Sequence, residues 1–330
     1  MLALTIAEGR LEPAERPVPE PGAGEVLVRV AGAGLNRADL LQRAGRYPAP
    51  AGAPPDVPGL EFAGVVEALG PGIDEPAAGT RVFGIVAGGA QAEYVTVAAA
   101  HCAIVPDGLD LVAMGGVPEA YITAHDAMVT QAHARPGEWL LVHAVGSGVG
   151  TAALQLGKAS GVRVAGTART PSKLARCEQL GLDAAIEPPR TAQGTLDVDA
   201  LAGKIVEVTG GGADVTLDLV CGDYVIADVN AAALRGRVVC IGMVAGAYAT
   251  LPIGIIVAKR LTIIGTVLRS RDLDEKAAAT DAFTRDVVPL LAGEKIAPVI
   301  DAIVPLDRAP EAYELLATDT TFGKVVLDCR

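Results

Sequence analysis

Residues Trp139–Leu156, WLLVHAVGSGVGTAALQL, constrain the fold more than any other stretch of the chain. The apolar run Leu140-Leu141-Val142 shows no alternation, as expected of a strand buried on both faces. It runs directly into Gly146-Ser147-Gly148-Val149-Gly150, and Thr151–Leu156 then has helix-forming composition. Together these parts supply what a dinucleotide pyrophosphate needs: a backbone it can approach closely, and free N–H groups at a helix N-terminus. A second strand is predicted over Val162–Thr167. Arg169 follows it, about 20 residues past the glycines, where an NAD site places an acidic residue on the ribose. A cation there points to NADPH, with Arg169, Thr170 and Lys173 as the clamp for its 2′-phosphate.

No charged residue stands between Glu138 and Lys158, a length that would span a bilayer. The four glycines in that segment, with His143, Ser147, Thr151 and Gln155, argue against a membrane helix. The formal net charge of −12 over 330 residues argues against the basic face that a nucleic-acid partner requires. Five scattered cysteines, Cys102, Cys177, Cys221, Cys240 and Cys329, contain no CxxC pair and no disulfide framework. They read as small buried hydrophobes of a reduced cytoplasm. The N-terminus has no charged segment ahead of an apolar core, so no secretory signal is expected.

The length suits two domains. The first hundred residues read as β-rich, with strands at Val26–Val30, Ala63–Leu69 and Tyr94–Val97, a short helix over Asn36–Ala44 and a loop over Pro48–Pro58, which holds five prolines. From Pro118 helices and buried strands alternate. Helices are predicted at Tyr121–Ala132, Thr151–Ser160, Ser172–Leu180, Val198–Thr209 and Tyr224–Ala232. Strands are predicted at Trp139–His143, Val162–Thr167, Ala184–Ile186, Val215–Asp218, Val238–Ile241 and Leu261–Thr266. That rhythm implies a doubly wound parallel sheet. The chain then forms one long helix, Lys276–Ala292, and closes on a strand at Lys324–Asp328. This tail is too short for a domain of its own, so it is expected to return to the first. The expected division is 1–117 with 268–330, and 118–267.

Several segments carry a resemblance: Gly34-Leu35-Asn36-Arg37-Ala38-Asp39-Leu40, Gly45-Arg46-Tyr47-Pro48, Pro58-Gly59-Leu60-Glu61-Phe62-Ala63-Gly64, Gln91-Ala92-Glu93-Tyr94-Val95, Pro118–Ala124, His143–Gly150, Leu268-Arg269-Ser270-Arg271 and Gly323–Val326. With them the chain resembles the medium-chain dehydrogenase/reductase superfamily over nearly its whole length, and within it the zinc-free quinone oxidoreductases of the zeta-crystallin type. The resemblance implies an α/β protein with a GroES-like, β-rich catalytic domain and a Rossmann domain. Asn36 stands where the alcohol-dehydrogenase branch has its first cysteine ligand, and Leu60 replaces the histidine of its Gly-His-Glu segment. Zinc prefers thiolate and imidazole donors. The adjacent pair His101-Cys102 has nothing to complete a ligand set. No metal is expected.

The glycine turn Gly146, Ser147, Gly148, Val149 and Gly150 is expected to face the pyrophosphate. Thr123 and Lys324 are expected by resemblance to contact the cofactor. Gly222 and the run Ile241-Gly242-Met243, at strand ends, are expected to pass beside it. Asn36 and Tyr47 are the catalytic candidates, as hydrogen-bond donors to a carbonyl substrate or, for Tyr47, as a proton source. His125 and His133 read as surface residues, and His143 as a satisfied core histidine. The implied activity is NADPH-dependent reduction of quinones or other α,β-unsaturated carbonyls, small molecules whose conjugation lessens the need for a Lewis acid. One alternative is an enoyl thioester, whose phosphates Arg269 and Arg271 would suit. The other is an NADPH-binding or RNA-binding protein without turnover. The resemblance also implies a homodimer pairing through Leu261–Val267, unless the tail covers that edge.

Overall fold

Strands that are apolar on both faces need cover on both faces, and Thr123–Val267 provides it in a six-stranded, all-parallel sheet. The computed structural model describes every residue from Met1 to Arg330. The spatial order of the sheet is Ala184–Ile186, Arg163–Thr167, Trp139–Val142, Ala213–Asp218, Ala232–Cys240 and Thr262–Gly265. In order of appearance this is 3-2-1-4-5-6, the doubly wound arrangement in which the chain reverses direction beside its first strand. The core on one side of that sheet contains Trp139, Leu141, Ile186, Leu201, Ile205 and Tyr224. The strand at Leu261–Thr266 is shorter than expected, and it forms the sheet edge. Ile263 and Val267 are exposed there.

The other compact unit comprises Met1–Ile122 and Leu268–Arg330. The division between the units therefore falls inside the helix Pro118–His125. The seven-stranded sheet of this unit places the C-terminal strand Lys324–Asp328 antiparallel to Glu25–Gly34 and parallel to Ile300–Pro305. Glu25–Gly34 pairs on with Glu61–Leu69 and Tyr94–Ala98. Leu4, Val26, Val28, Phe62, Val82, Tyr313, Val325 and Leu327 fill the core.

Three expectations need correction. The helix over Lys276–Ala292 is two helices, Leu273–Asp286 and Val288–Ala292. Pro289 lacks an N–H and crowds the preceding turn, so the first helix stops and a new one starts with proline in its first turn. The helix expected over Tyr121–Ala132 begins at Pro118 and widens into a π-helical turn over Asp126–Gln131. His125 is buried rather than on the surface. A hairpin of Leu2–Ala7 and Arg10–Glu15 was not legible, because Pro13 and three charged residues disguise its second strand. That strand pairs on one side only, where proline is tolerated. No helix is long and apolar enough to cross a membrane.

Candidate active site

In the parallel-sheet unit, the strand Trp139–Val142 ends in a turn in which Ala144 adopts a left-handed backbone conformation. The helix Gly148–Ala159 follows, and the Ser147 hydroxyl caps it by accepting from the Gly150 N–H at 3.1 Å. Gly150 is required by space. A Cβ there would lie 2.5 Å from the Ala144 carbonyl oxygen and 2.6 Å from that of Val145. The same closeness continues at Gly157 and Gly166, where a Cβ would meet Val164 and Val145 side chains below 3 Å. The helix start is thus drawn onto the strand end, and the N–H groups of its first turn have no acceptor within the helix. Gly148 and Val149 are half-buried on that rim. This cradle fits a pyrophosphate.

Arg169 and Thr170 are exposed at the end of the neighbouring strand, and Lys173 is half-buried in the first turn of the helix Pro171–Gln179. Burial raises the Tyr224 phenol, while the charges of Arg190 and Arg169 pull it back, so two cations face this corner. Gly222 has φ +58° and ψ −132°, and a Cβ on Gly242 would lie 2.5 Å from the Leu219 carbonyl oxygen. Both residues follow the C-terminal ends of central strands, as expected, with Ile241 half-buried and Met243 exposed. Thr123 is half-buried at the first position of this unit. His143 is fully buried, hydrogen-bonded to Thr167 Oγ1 at 2.9 Å and Asp228 Oδ1 at 2.7 Å. Burial would lower its pKa, but the Asp228 carboxylate outweighs burial and raises it. It is a core histidine with its partners satisfied.

The β-rich unit gathers a second constellation. The helix Arg37–Arg43 starts after Asn36, whose backbone N–H donates to Asp39 Oδ2 at 2.7 Å. Asn36 Nδ2 donates to Glu61 Oε1 at 2.9 Å. The Lys324 ammonium donates to Glu61 Oε1 at 2.6 Å, Asn36 Oδ1 at 2.8 Å and the Leu35 carbonyl oxygen at 2.6 Å. Glu61 Oε2 accepts from the Glu119 backbone N–H at 2.9 Å. The Glu61 carboxylate has room only because residue 34 is glycine, where a Cβ would fall 2.3 Å from Oε1. Asp39 is fully buried, receives Gln91 Nε2 at 3.2 Å, and keeps Oδ1 without a partner. Burial pushes its carboxyl up to about 6.

The Arg269 guanidinium lies 4.8 Å from the Tyr47 ring centroid. It donates to the carbonyl oxygens of Ala87 and Tyr47 and to Gln42 Oε1. Tyr47 is half-buried, and burial raises its phenol, which keeps the O–H donor intact at neutral pH. Arg269 is itself buried and spends its donors inside the unit, so it is not the surface cation that an enoyl-thioester phosphate would seek. A hollow of about 610 Å³ lined by Ile6, Gln42, Arg43, Gly45 and Glu314 contains neither Asn36 nor Tyr47. Sequence reasoning missed Asp39, Glu61, Glu119 and Arg269 as members of the constellation. The signal was present: a buried lysine needs a buried carboxylate, and Glu61 stood inside a motif already singled out.

Residues 22–107 match the alcohol dehydrogenase GroES-like domain, and residues 148–284 match the zinc-binding dehydrogenase family. The quinone oxidoreductase from Thermus thermophilus, solved also as a complex with NADPH, superposes with a TM-score of 0.82 at 33% identity. That match covers 99% of this chain and 100% of the other. The chain belongs to the medium-chain dehydrogenase/reductase superfamily. Among its superfamily relatives, mycobacterial Rv1454c complexed with NADPH superposes with a TM-score of 0.86 at 28% identity, covering 99% of each chain. The pikromycin polyketide synthase component PikAII of Streptomyces venezuelae is 38% identical over 242 residues, 73% of this chain. The chain spans only 6% of that synthase. The GroES-like and Rossmann units of the superfamily are the two units described above.

Proposed function

We propose that this superfamily member reduces quinones or other α,β-unsaturated carbonyls with NADPH and without zinc. The observation that carries the reading is the Lys324 ammonium between Asn36 Oδ1 and Glu61 Oε1. Where the zinc branch has a metal and soft ligands, this cluster offers an amide, a carboxylate and a cation already in place. A second cation would meet that charge, and the donor set suits zinc poorly. The acceptor must therefore be one that a hydrogen bond activates sufficiently, which favours a conjugated carbonyl.

Gly146, Ser147, Gly148, Val149 and Gly150 would hold the pyrophosphate, and Arg169, Thr170 and Lys173 the 2′-phosphate. Gly222, Ile241, Gly242 and Met243 would flank the rest of the nucleotide, with Thr123 nearby. The bound cofactor supplies the hydride. Asn36 and Tyr47 orient the acceptor oxygen, Tyr47 with its ring fixed under Arg269. Lys324 fixes the Asn36 amide. The complexes of two relatives with NADPH support the cofactor. The reading includes a cytoplasmic homodimer, paired through the exposed edge at Thr262–Gly265, a strand that would otherwise stay open.

The likeness to PikAII keeps a second acceptor in play, an enoyl thioester. Steady-state NADPH oxidation against a panel of quinones, enones and enoyl thioesters separates the two. Tight NADPH binding with no turnover of any acceptor would overturn the enzyme reading.

A further inference from the structure

His143 has its partners, but the two carboxylates beside it do not have all of theirs. Asp218 Oδ1 accepts from the Val220 and Cys221 N–H groups, each at 2.8 Å, and Asp228 Oδ1 lies 2.7 Å from His143 Nε2. The second oxygen of each carboxylate, Asp218 Oδ2 and Asp228 Oδ2, is buried without a hydrogen-bond partner. His143 and Asp218 are fully buried, and Asp228 is 1% exposed. One donor atom from each of the three residues lies within 4.8 Å of those of the other two. No lysine or arginine donates to either carboxylate. Orphaned carboxylate oxygens gathered in so small and dry a volume are costly unless a cation joins them.

The three residues belong to three elements of the parallel-sheet unit. His143 follows the strand Trp139–Val142, Asp218 ends the neighbouring strand Ala213–Asp218, and Asp228 lies in the helix Asp223–Ala231. The Tyr224 ring packs edge-on against the imidazole, with centroids 4.9 Å apart, and holds its plane. We propose that His143, Asp218 and Asp228 bind one divalent transition-metal ion of the zinc class as a structural ion of this unit.

The donor set fits such an ion. Zinc takes imidazole nitrogen and carboxylate oxygen at about 2.0–2.2 Å, and the pair of carboxylates matches its double charge. An imidazolium would balance only one of them. With Nδ1–H donated to Thr167 Oγ1 at 2.9 Å, His143 turns its Nε2 lone pair toward the ion, and the two backbone N–H groups on Oδ1 orient Asp218 in the same way. Without the ion a proton takes its place: burial above all, and then Asp218, raises the Asp228 carboxyl. Binding releases that proton and involves no change of oxidation state. The ion would tie two strand ends to a helix directly before the turn Ala144–Gly150. All three ligands lie within Thr123–Val267, whereas Asn36 and Leu60 belong to the other unit, so this is not a catalytic zinc and the inference does not rest on the reductase reading.

The test produces the full chain in medium supplemented with Zn²⁺, or with Co²⁺ as a visible probe, and counts the metal retained after a brief EDTA wash by mass spectrometry. Wild-type protein is expected to keep about one ion per chain. His143→Gln, Asp218→Asn and Asp228→Asn should each retain at least tenfold less, and His133→Asn, at an exposed histidine, should retain as much as the wild type. The Co²⁺ protein should show d–d absorption without a near-ultraviolet thiolate band, which separates this site from the cysteines. Circular dichroism shows which variants fold, and should none do so, the wild-type count and Co²⁺ spectrum decide. No metal retained by the wild type, a thiolate band, or retention unchanged in a folded His143→Gln or Asp228→Asn variant overturns the site and leaves a carboxyl pair sharing a proton.

Discussion

Lys324 Nζ stands 2.6 Å from Glu61 Oε1, with the lysine side chain 6% exposed and the carboxylate fully buried. The pair joins the last strand of the chain to a strand near its beginning, and Asn36 is hydrogen-bonded to both members. Removing one charge leaves the other buried without compensation. Lys324→Met is therefore expected to cost about 3–5 kcal/mol of stability, measured by urea unfolding. Adding Glu61→Gln should recover part of that loss. A single variant as stable as the wild type would show that the ion pair is not closed in solution.

Gly150→Ala puts a methyl group against two carbonyl oxygens of the backbone, which cannot rotate away as a side chain would. The expected result is a loss of about 1–3 kcal/mol in stability. NADPH affinity, followed by nucleotide fluorescence, should fall about tenfold or more, equivalent to about 1.4 kcal/mol. Gly203→Ala is the control. Its Cβ would meet nothing within 4 Å, in the interior of the helix Val198–Thr209, so it should stabilise by about 0.5–1 kcal/mol.

Discrimination between NADPH and NADH should rest on Arg169. A guanidinium hydrogen-bonded to a phosphate is worth about 1.5–3 kcal/mol. Arg169→Ala is expected to weaken NADPH binding about 10- to 100-fold while leaving NADH nearly unchanged, read as the ratio of two dissociation constants. Equal losses for both nucleotides would remove Arg169 from the 2′-phosphate.

Stability should fall as pH rises from about 5 to 8, the reverse of ordinary acid denaturation. The folded carboxyls of Asp39, Asp228 and Glu119 lie raised, to about 6, 7 and 8, chiefly by burial. Between the unfolded and folded values the native state holds the extra proton, so each group stabilises at low pH and loses that contribution as pH rises through its folded value. Each group contributes at most about 1.4 kcal/mol per pH unit in its window. Thermal melts across this range would show it, and a midpoint that rises with pH would contradict the shifts.

Legibility in the sequence followed distance along the chain. The glycine cradle was readable because strand, turn and helix are contiguous, and Gly150 meets carbonyl oxygens only a few residues away. The β-rich constellation was only half readable. Asn36, Tyr47 and Lys324 could be named from motifs, and Asp39, Glu61, Glu119 and Arg269 stand in the same set of motifs, but those motifs are far apart in the chain and no local pattern announces that they meet. The break at Val287 and the burial of His125 were missed for a related reason: helical periodicity does not report where a turn widens or which neighbour covers a side chain.

By itself the sequence determined the parallel-sheet fold and the strand, glycine turn and helix of Trp139–Leu156. Those follow from residue type and local order. Only the tertiary structure decided that Lys324 fills the gap between Asn36 and Glu61, and that burial beside Glu61 raises the Glu119 carboxyl. Charge interactions and desolvation depend on distance through space, and residues far apart in the chain acquire those distances only when the sheet has closed.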